Sequence, residues 1–276
     1  MKKLLSARSS LILPASSTVL NAQQHHQHGS EGADPIAVVE QFGAVQMPIS
    51  CAPSVQVRLP HLAFRDAGDT GEWNAMRLKI VQGGEPVLRS QARQLTREEI
   101  LSDEIRRLIR DMRETMRDAP GVGLAAPQVG MTLQLAVIED REELLSGLPA
   151  QELAEKERQA VPFHVIINPE ITFLGDGTAD FYEGCLSLSG FSAVVPRARR
   201  VRVAYLDEHG EPQSVEASGW YARILQHEID HLRGTLYIDR MESRTFTSID
   251  NWSRFCKGKS VREVVESLSS PLEPIR

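Results

Sequence analysis

Two histidines and a glutamate near residue 230 constrain the fold of this chain more than any other feature. In the segment QHEIDH, residues 226–231, His227 and His231 are four residues apart. On a helix, residues four apart lie on one face with Cβ atoms about 5–6 Å apart, so both imidazoles can bind one cation. A stripe of apolar residues indicates that this helix is buried: Ile224, Leu225, Ile229 and Leu232. Buried histidines are costly unless something bonds them, so the sequence predicts a central helix with a metal site.

Glu228 follows the first histidine and projects to one side of the pair. From there it can take the proton of a water molecule on the same metal, which is the chemistry of a metallohydrolase. The alternative is an amphipathic helix whose histidines share a face by accident. Three fixed residues arise by chance in a chain of this length with odds on the order of a few per cent, so other motifs are needed.

The third metal ligand is expected upstream of the helix. One large group of zinc proteases continues the motif as H-E-x-x-H-x-x-G-x-x-H, but here Tyr237 stands at the last histidine. Gly234 stands at the glycine of that pattern and is better explained as the residue that ends the helix. Cys185, in the segment EGCLS of residues 183–187, is the better candidate, because a thiolate binds zinc or ferrous iron strongly.

Cysteine usage agrees with that choice. The chain contains three cysteines, Cys51, Cys185 and Cys256. The odd number and the wide spacing argue against a disulfide framework and indicate a reducing compartment.

A third segment, GVGLAAPQ at residues 121–128, lacks bulky side chains. It predicts a loop that allows another backbone to approach closely. It has no Lys-Ser/Thr ending, so a phosphate-binding loop is a poor interpretation. Gln128 can donate an amide N–H to an oxygen that becomes negative during hydrolysis. Taken alone, the segment also fits an ordinary tight turn.

In this order and spacing, GVGLAAPQ, EGCLS and QHEIDH resemble the three signature motifs of the peptide deformylases, over about residues 76–250. The resemblance implies an enzyme that removes the formyl group from the N-terminal formyl-methionine of newly synthesised polypeptides and releases formate. It also implies one divalent ion, Fe²⁺ in vivo, which Zn²⁺, Ni²⁺ or Co²⁺ can replace. Two rivals stay open: another HExxH metallopeptidase, and a non-catalytic protein with a structural metal.

The resemblance assigns the central roles at the site. It implies that the metal ligands are Cys185, His227 and His231, and that Glu228 is the catalytic carboxylate.

The surrounding residues have supporting roles. By the same resemblance, Gln128 and the backbone N–H of Leu186 would bind the developing oxyanion, and Gly123 would contact the substrate backbone. We expect Val122 and Ile224 to line the pocket for the methionine side chain, because an apolar thioether needs an apolar wall.

Two charged residues of the motif helix are expected to support the site. Asp230 is predicted to orient an imidazole or to hold the glycine-rich loop, with a solvent-facing acid as the alternative. Arg223 is predicted to pair with an acid such as Glu183.

From residue 76 the pattern predicts an α+β fold, with short, mostly antiparallel strands packed around the central helix that carries HEIDH. Strands are predicted at 133–138, 165–168, 201–206 and 213–217, with a hairpin turn at 207–210. A helix is predicted from Thr96 through Met116, and the motif helix from Ser218 to about Arg233. A last helix is predicted to begin at a Ser260–Glu263 capping box.

Residues 1–75 differ from the rest of the chain. Residues 1–30 contain no acidic residue and include a QQHHQH run at 23–28. We interpret this extension as disordered, as a targeting peptide, or as a stretch before a true start at Met76. The catalytic domain is expected at 76–250, and a tail with a short helix at 251–276. The start-like Met76 favours a bacterial cytoplasm, with a mitochondrion or plastid as the alternative.

The expected partners are nascent formyl-methionyl polypeptides, without DNA or a membrane. A net charge of −6 argues weakly against a nucleic-acid binder, and no segment approaches the ~20 apolar residues that span a bilayer. Basic residues near the last helix could still contact ribosomal RNA: Arg254, Lys257, Lys259 and Arg262.

Overall fold

The computed structural model describes residues 75–268. Within that range the helices are α1 (Arg97–Ile100), α2 (Asp103–Asp118), α3 (Glu142–Leu145), α4 (Ala150–Glu155), α5 (Gly219–Leu232), α6 (Ile249–Phe255) and α7 (Val261–Leu268). The strands are β1 (Gly123–Ala125), β2 (Leu135–Asp140), β3 (Val161–Phe173), β4 (Thr178–Gly184), β5 (Phe191–Ala198), β6 (Arg200–Leu206), β7 (Pro212–Ser218) and β8 (Thr247–Ser248).

Two antiparallel sheets surround α5. One sheet has the strand order β1-β2-β3-β6-β7, and the other has the order β4-β5-β8. Helix α5 contacts strands of both sheets. The predicted α+β fold with a central histidine helix is therefore confirmed.

The alternating side chains of β2 explain why α5 lies where it does. Ala136 and Ile138 belong to one apolar cluster, together with Leu225 and Ile229 of α5. Leu135 and Val137 project to the other face of the sheet and pack with α2. Because side chains alternate along a strand, β2 is buried on both faces and holds the two helices on opposite sides.

The four predicted strands are confirmed as β2, β3, β6 and β7, although β3 is much longer than predicted. The predicted loop at 121–128 is wrong in part: it forms the short strand β1 and a 3-10 turn at Ala126–Val129. Its small residues permit β1 to lie directly against α5.

The helix predicted from Thr96 to Met116 is divided into α1 and α2. The helix begins at Thr96 as predicted, with a capping box in which the Thr96 side chain accepts from the Glu99 N–H and the Glu99 carboxylate accepts from the Thr96 N–H. Ser102 then begins a second helix by accepting from the Ile105 N–H. This second N-cap residue, a few positions after Thr96, explains why one helix became two.

The ends of α5 agree with the prediction except at the cap. Ser218 is the N-cap residue, but its side chain makes no capping hydrogen bond. The helix ends at Leu232, and Gly234 adopts a φ of +71°, a left-handed conformation that favours glycine.

The C-terminal helix α7 begins at the predicted capping box, in which Ser260 and Glu263 exchange backbone and side-chain hydrogen bonds. Its Val264 is buried, and α7 contacts β4. No helix within residues 75–268 is both long enough and apolar enough to cross a bilayer. The predictions for 1–74 and 269–276 lie outside the described residues.

Candidate active site

Three candidate ligands converge where β4 ends beside α5. Cys185 directly follows β4, and His227 and His231 project from α5. The Cys185 Sγ and ring nitrogens of both histidines lie within 4.8 Å of one another. The Cys185 Sγ is 3.3 Å from His231 Nε2. The structure thus brings together the three residues that the motifs singled out.

The chemistry of this cluster fits a divalent metal ion. A thiolate with two imidazoles is a donor set typical of zinc and ferrous iron. Glu228, next to His227, has a buried Oε2 without a hydrogen-bond partner among residues 75–268. A buried carboxylate oxygen without a partner is unfavourable, and water at a bound ion would satisfy it.

Glu183 orients the first histidine. Its Oε2 accepts a hydrogen bond of 3.1 Å from His227 Nδ1, which leaves Nε2 as the ring nitrogen available to a metal. Burial alone would raise the pKa of Glu183, but hydrogen bonds from His227 and Arg197 hold it well below its usual range. Burial would lower the pKa of His227, but hydrogen bonds to Cys185 and Glu183 raise it above its usual value.

Two arginines clamp the same carboxylate. Arg197 donates to both oxygens of Glu183, each at 2.9 Å, and Arg223 donates to Oε1 at 2.6 Å. The predicted pairing of Arg223 with Glu183 is confirmed. Sequence reasoning missed Arg197, which lies on β5 and has no motif of its own.

Asp230 is buried, so the alternative of a solvent-facing acid is wrong. The predicted contact of Asp230 with an imidazole or with the glycine-rich segment is also wrong, because its carboxylate pairs with arginines instead. Asp230 accepts from Arg197, and Arg240 donates to both of its oxygens at 2.7 and 2.8 Å. Asp230 therefore reaches His227 only through Arg197 and Glu183.

Glu228 lies against Gly123 of β1. Burial raises the pKa of Glu228 to about 7, within the range in which a carboxyl group can exchange protons near neutrality. A Cβ built on Gly123 would lie 2.2 Å from Glu228 Oε1, closer than any real contact. Glycine at position 123 therefore leaves the space that the Glu228 carboxylate occupies, a role that the sequence did not reveal.

We predict that Gly123→Ala lowers kcat/KM by about 10²-fold, because the new methyl group displaces Glu228 by roughly an ångström. Gly147→Ala is the matched control, since a Cβ there meets nothing within 4 Å. Steady-state kinetics of both variants checks this. Equal kcat/KM values for the two would contradict the proposed role of the close packing.

Gln128 is buried and its amide has a defined orientation. Its Oε1 accepts from the Ala125 N–H at 2.8 Å. Its Nε2 donates to Cys185 Sγ at 3.5 Å and, over a long distance of 3.4 Å, to Ser187 Oγ. The amide N–H group therefore points to the metal ligand and is weakly used by the protein itself.

Leu186 lies in the turn after Cys185, and this turn is held by hydrogen bonds with Gln82 and Gly83. Gln82 Nε2 donates to the Leu186 carbonyl at 3.0 Å, and Gln82 Oε1 accepts from the Ser189 N–H at 3.3 Å. The Gly83 N–H donates to the Ser187 carbonyl at 2.8 Å. Sequence reasoning missed Gln82, since more than a hundred residues separate it from its partners.

The two candidates for the methionine pocket differ in exposure. Ile224 is only 3% exposed and packs in the apolar cluster between α5 and the large sheet. Val122 is partly buried and packs at the border of the same cluster. Ile224 thus offers little surface to a ligand, because the core already covers it.

Tyr237 is a further residue at the site that the motifs did not indicate as such. It is 1% exposed and packs with Cys185. Its ring lies nearly parallel to that of His227, with centroids 6.4 Å apart and an interplanar angle of 20°. The sequence indicates only that Tyr237 is not a metal ligand, whereas the structure places its ring beside the imidazole of His227.

Comparison with known proteins identifies one family. The family model described as Polypeptide deformylase matches residues 77–246. The chain is 49% identical over 172 residues to "Peptide deformylase 1A, chloroplastic" of Solanum lycopersicum, covering 62% of each protein. It is 47% identical over 171 residues to "Peptide deformylase 3" of Streptomyces avermitilis, covering 62% of this chain and 74% of the relative.

A solved structure gives the same result. The "Met-ala-ser bound crystal structure of class I type b peptide deformylase from Acinetobacter baumannii" is 31% identical with a TM-score of 0.55. The match covers 61% of this chain and 100% of that one. Because the family model covers more than half of the 276 residues, the chain belongs to the polypeptide deformylase family.

Proposed function

We propose that the protein is a metal-dependent hydrolase that removes the formyl group from the N-terminal formyl-methionine of newly synthesised polypeptides. The products are formate and a polypeptide with a free methionine amine. The observation that carries the proposal is the convergence of Cys185, His227 and His231 within 4.8 Å, with the buried Glu228 beside them.

The substrate is a peptide chain that enters by its N-terminus. Strand β1 is an edge strand: among the described residues it pairs with β2 on one side only. An extended backbone can pair with such an edge, which supports Gly123 as a backbone contact. The relative from Acinetobacter baumannii is described with Met-Ala-Ser bound, which is the peptide product expected from formyl-Met-Ala-Ser. Val122 and Ile224 stay our candidates for the methionine pocket, with Val122 the more accessible of the two.

Cys185, His227 and His231 would hold the ion. A divalent ion with three protein ligands supplies Lewis acidity, lowering the pKa of a coordinated water molecule towards ~7. The Glu183 carboxylate fixes the tautomer of His227, so that one ring nitrogen is free of a proton.

The side chains of the protein carry the proton and the negative charge. Glu228 accepts a proton from the attacking water and later donates it to the departing methionyl amine. The formyl oxygen becomes negative when water adds to the carbon. Gln128 Nε2 and the Leu186 backbone N–H donate hydrogen bonds to that oxygen.

Formate release from formyl-Met-Ala-Ser by anaerobically purified protein tests the proposal. We expect formate and Met-Ala-Ser in equal amounts, and no cleavage of internal peptide bonds. Cleavage of internal bonds would instead identify a peptidase. Bound metal without any turnover would identify a structural ion.

We propose Fe²⁺ as the native ion, with Zn²⁺, Ni²⁺ or Co²⁺ as substitutes. The mixed sulfur and nitrogen ligands support this range of ions. Removing the metal with a chelator is expected to abolish formate release, and each ion added back anaerobically gives its own activity per bound ion. Activity that is highest with Zn²⁺ would contradict Fe²⁺ as the native ion.

The catalytic domain is proposed to be residues 76–250, preceded by an extension and followed by a tail at 251–276. The Met76 N–H donates to Asp111 and the Leu78 N–H to Thr115, which supports a domain that begins at Met76. A chain starting at Met76 should therefore keep its activity; loss of activity would show that residues 1–75 are needed.

We place the activity in a bacterial cytoplasm, with a mitochondrion or plastid as the alternative, since the relatives include a chloroplastic protein and one from Streptomyces. Tracking a fluorescent protein fused to residues 1–75 tests this, because import into an organelle would favour the alternative.

The exposed basic residues near α7 support contact with the ribosome. Reversing the charges of Arg254, Lys257 and Lys259 should weaken ribosome co-sedimentation; unchanged binding would remove this proposal.

A further inference from the structure

We infer that Arg197 is a positioning residue for the metal site, although it contacts neither a candidate ligand nor the proposed path of the substrate. This inference rests on the proposed metal site. Arg197 is 4% exposed and lies on β5 beneath α5. Its guanidinium group bridges two buried carboxylates, Glu183 and Asp230.

The contact with Glu183 fixes the orientation of a carboxylate. Arg197 Nε donates to Oε1 and Nη2 donates to Oε2, so the two planar groups face each other as a fork. Glu183 Oε2 is also the atom that accepts from His227 Nδ1. The fork therefore fixes the position of Glu183 Oε2, the acceptor of the His227 Nδ1 hydrogen bond. That hydrogen bond in turn sets the direction in which His227 Nε2 points.

Arg223 binds the same carboxylate but differs in its contacts. It donates to Oε1 only, and its other hydrogen bonds go to the carbonyls of Val195 and Ala179. Arg223 thus links the Glu183 side chain to the backbone of β4 and β5. Of the two arginines, only Arg197 donates to Oε2, the oxygen that accepts from His227.

Asp230 and Arg240 hold Arg197 from the other side. Asp230 accepts from Arg197, and Arg240 donates to both oxygens of Asp230. This pairing matters because a buried guanidinium group with an unpaired side would be unfavourable. The resulting chain of hydrogen bonds runs from Arg240 through Asp230, Arg197 and Glu183 to His227, and its members lie on α5, β4, β5 and the segment after α5.

The test is the affinity of the full chain for Co²⁺, measured by chelator competition, and the visible absorption bands of the bound ion. Arg197→Lys keeps the charge but loses the fork. We expect the affinity to fall by about 10–100-fold and the bands to shift, because His227 is no longer oriented.

Arg158→Lys is the matched control. Arg158 forms an equivalent fork with the fully buried Asp140, at 2.8 and 2.9 Å, away from the candidate ligands. It should lower thermal stability but leave Co²⁺ affinity and bands unchanged. Wild-type affinity and bands in Arg197→Lys would overturn the inference.

A double-mutant cycle shows whether Arg197 acts through Glu183. In a Glu183→Gln background, Arg197→Lys should cause little further loss of Co²⁺ affinity, because the group it positions is already altered. Two losses that simply add would overturn the inference. If Arg197→Lys does not fold, Asp230→Asn releases the other side of the guanidinium group, and unchanged affinity and bands in that variant would overturn it as well.

The wild-type protein separates the two proposals. If it binds no Co²⁺ through Cys185, the proposed metal site itself is wrong. If it binds Co²⁺ normally and Arg197→Lys does too, only the inference about Arg197 fails.

Discussion

Replacing Glu228 by alanine is expected to lower kcat for formate release by about 10²–10⁴-fold, while the metal stays bound. Glu228 is 4% exposed, and burial raises its pKa to about 7. Glu228 directly follows His227 in the sequence. Its buried Oε2 has no hydrogen-bond partner among the described residues. Its loss removes the group that we propose accepts and returns the proton, but none of the proposed ligand atoms.

The measurement pairs steady-state kinetics with metal analysis of the same sample. Glu139→Gln is the control, because Glu139 is also a buried carboxylate but is paired with Arg117 at 2.7 Å. The control should lose stability and keep its turnover. Turnover retained in Glu228→Ala, with a full complement of metal, would show that another group moves the proton.

Replacing Gln128 by methionine is expected to lower kcat by about 10²–10³-fold with little change in KM. Methionine has a similar length but no N–H group, so it removes the hydrogen-bond donor without opening a large cavity. The effect falls on kcat because the oxygen becomes fully negative only in the transition state. The Ala125 N–H also loses its acceptor, which should lower stability slightly.

Gln134→Met separates the loss of stability from the loss of kcat, because Gln134 is partly buried and donates to the Ala92 carbonyl outside the site. That control should lose stability without losing kcat. A rise in KM with unchanged kcat in Gln128→Met would assign Gln128 to ground-state binding, against its proposed role at the oxyanion.

Much of the fold and of the candidate site could be predicted because the signals are local. The spacing of His227 and His231 follows from helix geometry, and the strands β6 and β7 follow from alternating residues around a turn. The peptide deformylase resemblance rests on three short segments and is confirmed by the family match. The start of a second helix at Ser102 was missed because Ser102 is a second residue suited to an N-cap shortly after Thr96.

Other features depend on contacts that no local pattern encodes. The glycine at 123 is needed because the side chain of Glu228, from another part of the chain, occupies the space of a Cβ. The bridge between Gln82 and the turn at Leu186 joins residues 104 positions apart. Such residues look ordinary in the sequence, since their function arises only when the segments meet.

The sequence by itself determined the family, the central helix and the candidates for the metal ligands, because each depends on residue types at short, regular spacing. Only the tertiary structure decided how those ligands are oriented. Arg197 contacts carboxylates 14 and 33 positions away, and Cys185 approaches a histidine 46 positions away. The physical reason is that buried charges need partners, and the packing of α5 against two sheets determines which partners are within reach.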